Sequence, residues 1–315
     1  GTDGHVTVVV PQVEMGQGSY TVIPQIIADE LGADWRTIAV EPAPLSPAYA
    51  NTVFADEWHE GWWPKEKVQA TGGSSTVRGY EFVARQAGAA ARALLCKAAA
   101  KRWDADWQAC DTEGGFVTRG DDRLRFGELV EDAARMSLPK DIPLRTGNGV
   151  DRLSGRGMNR LDIPAKLDGS ANFAADIRLP DMVYASIRQG PLGDSILKSV
   201  DKAAADRIFG VLEIVEHERW VAAIATNWWA ANRALDAMHP RFFSRDSFSG
   251  DRSIDRALVN ALGVEGTRVA EAGDVDAALE NARVSTAEYS VGLAPHAAIE
   301  PLSATATLVD GRLQL

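Results

Sequence analysis

Two short glycine-rich stretches have the residue types and the spacing that favour anion binding. The first, Glu14-Met15-Gly16-Gln17-Gly18 (the first glycine loop), follows an apolar run at 6–10 and precedes an amphipathic stretch at 20–31. A strand, a tight turn and a helix start would expose backbone N–H groups at the positive end of the helix dipole. Glycine suits such a turn because a Cβ atom would block left-handed conformations and the close approach of a ligand. The stretch predicts either a ligand cradle or an ordinary tight turn.

A second stretch, Thr71-Gly72-Gly73-Ser74-Ser75 (the second glycine loop), precedes an Ala-rich run that predicts the longest helix of the chain, ending near Trp103. Ser74 and Ser75 are preferred helix-capping residues, and alanine has the highest helix propensity. Two such loops at two helix N-termini could clamp one anionic ligand, or they could be two well-capped helices and nothing more. Neither loop is followed by Gly-Lys-Ser or Gly-Lys-Thr, so a phosphate-binding P-loop is not indicated.

The candidate acid–base residues outside these loops form no recognisable catalytic or metal-binding pattern. His59 stands beside Glu60 with no second histidine nearby, so we expect a surface or packing role rather than metal ligation. His296 and Glu300 would share one face of a helix, but Pro301 favours an extended turn at that point. No metal ligand is therefore assigned from the sequence.

Composition excludes some classes of partner. The net charge of −11 leaves no basic surplus to neutralise phosphates, so nucleic acid is not expected as a partner. No apolar run approaches the roughly 20 residues of a membrane-spanning helix. The cysteines, Cys96 and Cys110, have no metal-ligand spacing, and Cys96 is expected to be a small buried apolar residue. A chain of 315 residues has room for about two domains.

Apolar periodicity predicts a chain of the α/β (α+β mixed) class. The helix after the first glycine loop should end at Gly32 and begin later than Ser19, because Pro24 is tolerated only near a first turn. Trp228 and Trp229, near the start of a later helix, are expected to pack in a core. Strands are predicted at 6–10, 38–40, 183–188, 211–215, 221–225 and 285–291, further helices at 228–238 and 275–281, and a hairpin around 310–311.

Several stretches together resemble the large subunits of the xanthine dehydrogenase and aldehyde oxidase family. Residues 11–18 resemble the Gly-Gln-Gly loop that holds the molybdopterin cofactor, and 71–75 resemble a second loop on the cofactor side. Residues 160–169 with 178–182 are similar to the entry of the family's α/β-hammerhead domain, and 295–301 to the start of the other molybdenum-binding half. The order of these segments resembles the isoquinoline 1-oxidoreductase β-subunit and membrane-bound aldehyde dehydrogenase branch.

The resemblance implies three domains. These are the first part of a molybdenum-cofactor-binding region at 1–150, an α/β-hammerhead-like domain at 151–245, and the truncated start of the other cofactor-binding half at 246–315. The residues that it implies for cofactor binding are Gly16, Gln17, Gly18, Gly72, Gly73, Ser74 and Ser75. The family's general-base glutamate is expected outside these residues, so none of Glu14, Glu57 and Glu300 is assigned that role.

The resemblance also implies an activity, namely oxidation of an aldehyde or N-heterocycle with water as the oxygen donor. It implies molybdopterin, in the cytosine dinucleotide form and carrying molybdenum, together with an iron–sulfur partner subunit holding [2Fe–2S] clusters and a cytochrome c electron acceptor. The 315 residues are expected to be a fragment that is inactive alone and holds the cofactor weakly or not at all. The expected location is periplasmic or membrane-associated, with the cytoplasm as the alternative. A non-catalytic module that keeps the fold and binds only a ligand or a partner stays open.

Overall fold

The computed structural model of the chain describes residues 1–57, 68–146, 152–191, 193–244, 250–280, 282–294 and 297–315. These residues form two compact units, Gly1–Ala171 and Asn172–Leu315. Helices occur in both units together with small parallel and antiparallel sheets, which confirms the mixed α/β class. The three predicted domain ranges stay predictions.

The first unit is built on a parallel β-α-β segment and a long helix. Strand β1 pairs in parallel with β2, and β3, β4 and β5 form an antiparallel meander. Valine side chains of β1 enter the core, as expected for β-branched residues in a buried strand. The elements are β1 (Val6–Val10), α1 (Ser19–Leu31), β2 (Ile38–Pro42), α2 (Thr52–Glu57), α3 (Ser75–Trp103), β3 (Asp111–Glu113), β4 (Phe116–Arg119), β5 (Asp122–Arg125), α4 (Phe126–Ala133) and α5 (Ile163–Asp168).

Helix α1 confirms the predicted end but not the predicted start. Gly32 takes a left-handed conformation (φ 71°), and its N–H donates to the carbonyl oxygen of Ala28. The expectation that α1 begins after Ser19 is wrong, since the helix starts at Ser19 and continues through Pro24. Proline removes one i→i−4 hydrogen bond. The burial of the apolar stripe of α1 and an external acceptor at its first turn, described below, outweigh that loss.

Close contact between α1 and α3 depends on Gly88. A Cβ atom at Gly88 would lie 2.6 Å from the carbonyl oxygen of Ile27 and 2.8 Å from Cβ of Glu30. The α3 face around Gly88 is rich in buried alanine, which also lets two helix backbones approach. Cys96 on this helix is buried as predicted, and burial raises the pKa of its thiol to about 12.

The segment that begins at Arg152 is held along α1 by hydrogen bonds. The carboxylate of Asp29 accepts from Leu153 N at 2.7 Å, Ser154 Oγ at 2.8 Å and Arg152 Nε at 2.9 Å. Gln25 Nε2 donates to the carbonyl oxygen of Leu153 at 2.6 Å. Burial raises the pKa of Asp29, but these donors outweigh burial and leave the pKa below its ordinary value. Asp29 is therefore a charged anchor inside the first unit.

Glu30, the next residue of α1, is fully buried and is matched by arginines from distant positions. Its carboxylate accepts from Arg85 Nε at 2.7 Å and from the backbone N–H of Arg145 at 2.9 Å. Arg92 Nη1 donates to the carbonyl oxygen of Glu30 at 2.8 Å. A buried carboxylate is tolerated only with such compensation.

The second unit contains a three-stranded antiparallel sheet, in the order β6-β9-β8, covered by α6. Its core joins alanines of α6 to Val221 and Ala223 of the central strand. The elements are β6 (Tyr184–Gln189), β7 (Ile196–Ser199), β8 (Val211–His217), β9 (Trp220–Ala225), α6 (Trp228–Met238), β10 (Arg241–Phe243), α7 (Asp251–Ala261), α8 (Val275–Glu280), β11 (Thr307–Val309) and β12 (Arg312–Gln314). The structure confirms, within a residue or two, the predicted strands 183–188, 211–215 and 221–225, the predicted helices 228–238 and 275–281, and the hairpin around 310–311.

Two expectations for the second unit are wrong. Trp228 and Trp229 are 57% and 64% exposed, because α6 turns its alanine stripe to the sheet and leaves its first two residues outside. Residues 285–291 are β-branched in part but pair with no strand in the described part of the chain, and a strand needs a partner for its backbone groups. His59, Glu60 and the segment 295–296 lie outside the described residues. Within the described ranges, no helix combines the length and apolar character that a bilayer crossing requires.

We predict that Gly88→Ala destabilises the first unit by about 1–3 kcal/mol, because the added methyl group collides with a backbone oxygen of α1. The gain in helix propensity, about 1 kcal/mol, is too small to offset that overpacking. Gly79→Ala in the same helix is the matched control, since a Cβ there meets only side-chain atoms, at 3.3 Å. Urea unfolding should place the control within about 1 kcal/mol of wild type. Equal free energies of unfolding for the two variants would contradict this account of the helix contact.

Candidate functional site

The structure brings the two glycine loops side by side. Val13, just before the first loop, donates its backbone N–H to Oγ1 of Thr71 in the second loop at 2.9 Å. Gln12 is 1% exposed, and its Nε2 donates to the carbonyl oxygen of Ala70 at 2.9 Å. Thr76 Oγ1 donates to Gln12 Oε1 at 3.2 Å. The residues between β1 and the first glycine loop are thus hydrogen-bonded to residues just before, within and just after the second glycine loop.

The second glycine loop is closed from inside by Asn51 and Ser75. Asn51 Nδ2 donates to Ser75 Oγ at 2.6 Å, and Ser75 Oγ donates to the carbonyl oxygen of Gly72 at 2.6 Å. Ser74 is the N-cap of α3, in keeping with its residue type, but its backbone is left-handed (φ 51°) and its side chain makes no capping hydrogen bond. The tie from Ser75 to Gly72 holds the turn instead.

The first glycine loop encloses the carboxylate of Glu14. Oε1 of Glu14 accepts from the backbone N–H groups of Gly16 at 2.8 Å and Gly18 at 3.1 Å. Oε2 accepts from Ser19 Oγ at 3.2 Å and from Tyr20 N at 3.0 Å. The Glu14 side chain is 5% exposed. The N-terminus of α1 therefore has an acceptor that the chain itself supplies.

Glu14 is charged at neutral pH in this position. Burial raises the pKa of its carboxyl group, but the N–H groups of Tyr20, Gly18 and Gly16 outweigh burial and leave the pKa below its ordinary value. A carboxylate with several backbone donors at a helix N-terminus is favoured by both the hydrogen bonds and the helix dipole.

Arg160 connects this carboxylate to a distant part of the chain. Its Nη2 donates to Glu14 Oε1 at 3.0 Å, and its Nη1 donates to the carbonyl oxygen of Gly16 at 3.0 Å. The same guanidinium donates from Nη2 to Asp162 Oδ2 at 2.7 Å, and Lys166 Nζ donates to that oxygen at 2.6 Å. The hydrogen bond from Arg160 is the main reason that the pKa of Asp162 is strongly lowered; it acts together with Lys166 and against burial.

Gln17 lies on the outer side of the first loop. Its Oε1 accepts from the backbone N–H of Met15 at 2.7 Å, and its Nε2 donates to the carbonyl oxygen of Val13 at 2.6 Å. Gln17 is exposed, and a primary amide carries a second N–H. That side chain is therefore held in one orientation by two hydrogen bonds, and its amide has a second N–H.

The outer face of the first loop is open at both glycines. Gly16 (φ 106°) and Gly18 (φ 88°) are left-handed, and a Cβ atom at either would meet no other atom within 4 Å. Their N–H groups, however, point inward to Glu14. This arrangement fits a cofactor that lies against the outer backbone, and it does not fit an anionic group seated between these N–H groups.

The second loop is exposed at two of its residues. Gly73 and Ser74 are exposed and left-handed, whereas Ser75 is 1% exposed and its hydroxyl is engaged inside the loop. The cofactor-binding assignment of these residues and of the first loop stays a prediction. Within the described part of the chain, no group of three or more His, Cys, Asp and Glu side chains could hold a metal ion.

Sequence reasoning missed the roles of Glu14, Arg160 and Asp162. One local signal was available for Glu14, because a carboxylate shortly before a helix start is a natural acceptor for its first N–H groups. The contact between Arg160 and Glu14 spans 146 positions, and no local pattern indicates it.

We predict that Asp162→Asn lowers the stability of the first unit at neutral pH by about 1–3 kcal/mol, since a buried charged acceptor is lost. The folded pKa of Asp162 lies below the value of 3.8 for a free side chain, so the charged form stabilises the fold above that value. This contribution disappears as the pH falls through the folded pKa. The gap between the thermal midpoints of wild type and variant should therefore be constant near neutral pH and narrow as the pH falls from about 4 towards 2.5. The exposed Asp121, in a turn, provides the control Asp121→Asn, and a gap that stays constant with pH would contradict the prediction.

Comparison with known proteins adds a family match and three relatives. Residues 1–53 match the family model described as the molybdopterin cofactor-binding domain. The chain is 27% identical to the β-subunit of isoquinoline 1-oxidoreductase from Brevundimonas diminuta, over 96% of this chain and 43% of the relative. It is 28% identical to the membrane-bound aldehyde dehydrogenase (pyrroloquinoline-quinone) of Gluconacetobacter polyoxogenes, over 98% and 40%. It is also 28% identical to the B subunit of nicotinate dehydrogenase from Pseudomonas putida, over 99% and 26%. The chain thus spans less than half the length of each curated relative.

Proposed function

We propose, from the premise that this chain belongs to the molybdopterin-binding xanthine dehydrogenase family, that it forms a cofactor-holding part of an oxidoreductase large subunit. One observation carries the proposal. The two glycine loops are hydrogen-bonded to each other and present an open backbone face beside an oriented amide. Because Gly16 and Gly18 have no Cβ atom, a large planar cofactor could reach the backbone of this face closely.

The residues of this chain bind and orient the cofactor in this proposal. Gly16 and Gly18 let it approach the first loop, and the remaining N–H of Gln17 donates to one of its oxygen or nitrogen atoms. Gly73 and Ser74, the exposed residues of the second loop, would contact it from that loop. Molybdopterin with its molybdenum supplies two-electron redox chemistry when bound, and the protein supplies position and polarity.

The reaction and the partners follow from the family. The substrate class is an aldehyde or an N-heterocycle, in keeping with the relatives named for isoquinoline, aldehyde and nicotinate. Two of these relatives are named as subunits, which supports a partner, and an iron–sulfur subunit that passes electrons on to a cytochrome c is the partner proposed here. The general-base glutamate comes from outside residues 1–315, so this chain is inactive alone. The cytosine dinucleotide form of the cofactor and a periplasmic or membrane-associated location belong to the same proposal.

The test is metal analysis of the whole natural protein, purified from a host that makes molybdopterin. We expect close to one molybdenum per chain by mass spectrometry and a fluorescent oxidised pterin on acid release. An empty protein would favour a module that keeps the fold without the cofactor. Release of pyrroloquinoline quinone in place of pterin would favour the cofactor for which the aldehyde dehydrogenase relative is named.

A matched pair of variants tests the site itself. Gly16→Val places a branched side chain on the open face, and we expect molybdenum content to fall by about tenfold or more, which from a nearly full site requires the loss of more than about 1.4 kcal/mol of binding free energy. Gly120→Val is the control, because Gly120 is also left-handed (φ 56°) with no atom near its missing Cβ but lies in the β4–β5 turn. The control should keep molybdenum within about twofold of wild type. A normal molybdenum content in Gly16→Val would mean that the first glycine loop does not contact the cofactor.

A further inference from the structure

The carboxylate of Glu14 occupies the place where a helix N-terminus ordinarily binds an external anion. Such sites take phosphate, sulfate or carboxylate because free N–H groups and the helix dipole point at them. In α1 the N–H groups of Gly18 and Tyr20 are already bonded to Glu14, and Ser19 Oγ donates to the same carboxylate. The site is filled by a residue four positions before Gly18.

We propose that Glu14 is a resident anion, which takes the place of an anionic cofactor group at the N-terminus of α1 and fixes the first glycine loop as a platform for the cofactor. Glu14 is thus a positioning residue. The identity of the cofactor rests on the proposed function, whereas the position of the carboxylate does not.

Burial and the donors on both oxygens favour a permanent carboxylate over one that an incoming phosphate displaces. The Glu14 side chain is 5% exposed and has donors on both oxygens, so its departure would break every one of these hydrogen bonds at once. Asp162 lies close enough to repel Glu14 and shares the guanidinium of Arg160 with it. Arg160, whose Nη2 lies 3.0 Å from Glu14 Oε1, offsets this repulsion and adds one more hydrogen bond that departure of the carboxylate would break.

The same carboxylate sets the orientation of the rest of the loop. Because Gly16 N and Gly18 N point inward to Glu14, the Cα faces of both glycines turn outward. Arg160 adds a bond from Nη1 to the carbonyl oxygen of Gly16, so both polar groups of that residue are fixed. Gln17, between the two glycines, is left on the outer side.

Chemical rescue tests the proposal in the whole natural protein. Glu14→Ala should expose an anion site at α1, and acetate should fill it. We expect acetate to raise the thermal midpoint of Glu14→Ala by about 2–4 °C over chloride at equal ionic strength. Amide hydrogen exchange in peptides that cover residues 11–22 should slow in parallel. The controls are wild type and Glu131→Ala, which removes an exposed carboxylate of α4. Each should show the same thermal midpoint and the same exchange in acetate as in chloride.

Three results would overturn the proposal. The first is slower exchange at residues 16–20 of wild type when inorganic phosphate is added, because that would mean that Glu14 yields its place to an external anion. The second is a Glu14→Ala variant whose exchange and thermal midpoint are indifferent to acetate. If that variant does not fold, Glu14→Gln replaces it. In wild type the protection of residues 11–22 against exchange should weaken as the pH falls below the pKa of a free glutamate side chain. In Glu14→Gln this dependence on pH should be lost. A dependence that persists in Glu14→Gln is the third.

Neither the acetate rescue nor the pH dependence of exchange needs bound molybdenum. Failure of the proposed function would appear as an empty wild-type protein in the metal analysis while acetate rescue remains intact. Failure of the resident-anion proposal would appear as absent rescue in a protein that still binds molybdenum.

Discussion

Matching the buried carboxylates of α1 is the constraint on which the first unit depends. Asp29 and Glu30 lie near the C-terminal end of the helix, where the dipole disfavours negative charge, so their burial needs strong external donors. Arg152 and its neighbours supply them at Asp29, and arginines of α3 at Glu30. At the other end Glu14 satisfies the helix dipole, and Arg160 binds Glu14 in turn. Residues 152–160 are held against α1 and the first glycine loop because each of these charges requires a partner.

The neighbouring positions of the two glycine loops follow from helix packing. Each loop precedes a helix, and α1 and α3 start from the same side of the unit, where Gln12 and Thr71 tie the loops together. The helices meet again at Gly88, whose missing side chain sets their separation. The helices that carry the two loops are therefore held together at two places, and this fixes the position of the first loop. A site made by backbone atoms needs such support, because backbone atoms cannot adjust by changing rotamer.

The sequence predicted the elements whose signals are local. The apolar run of β1, the alanine body of α3 and the left-handed Gly32 each act through neighbours in the chain, and the structure contains all three. Trp228 was misjudged because residue type indicates burial only when the helix face is known. At the site the glycine positions were visible in the sequence, but the direction of their N–H groups was not. That direction depends on Glu14 and on a contact across 146 positions.

The charges beside the open face also bear on the chemistry that this chain can perform. A general base must hold a pKa near the working pH and have a free lone pair directed at the substrate. Glu14 has the opposite properties, since its pKa is lowered and both of its oxygens accept hydrogen bonds inside the loop. Asp162 is likewise occupied by Arg160 and Lys166. Neither carboxylate therefore meets the requirements of a general base, which agrees with the proposal that the general base lies outside these residues.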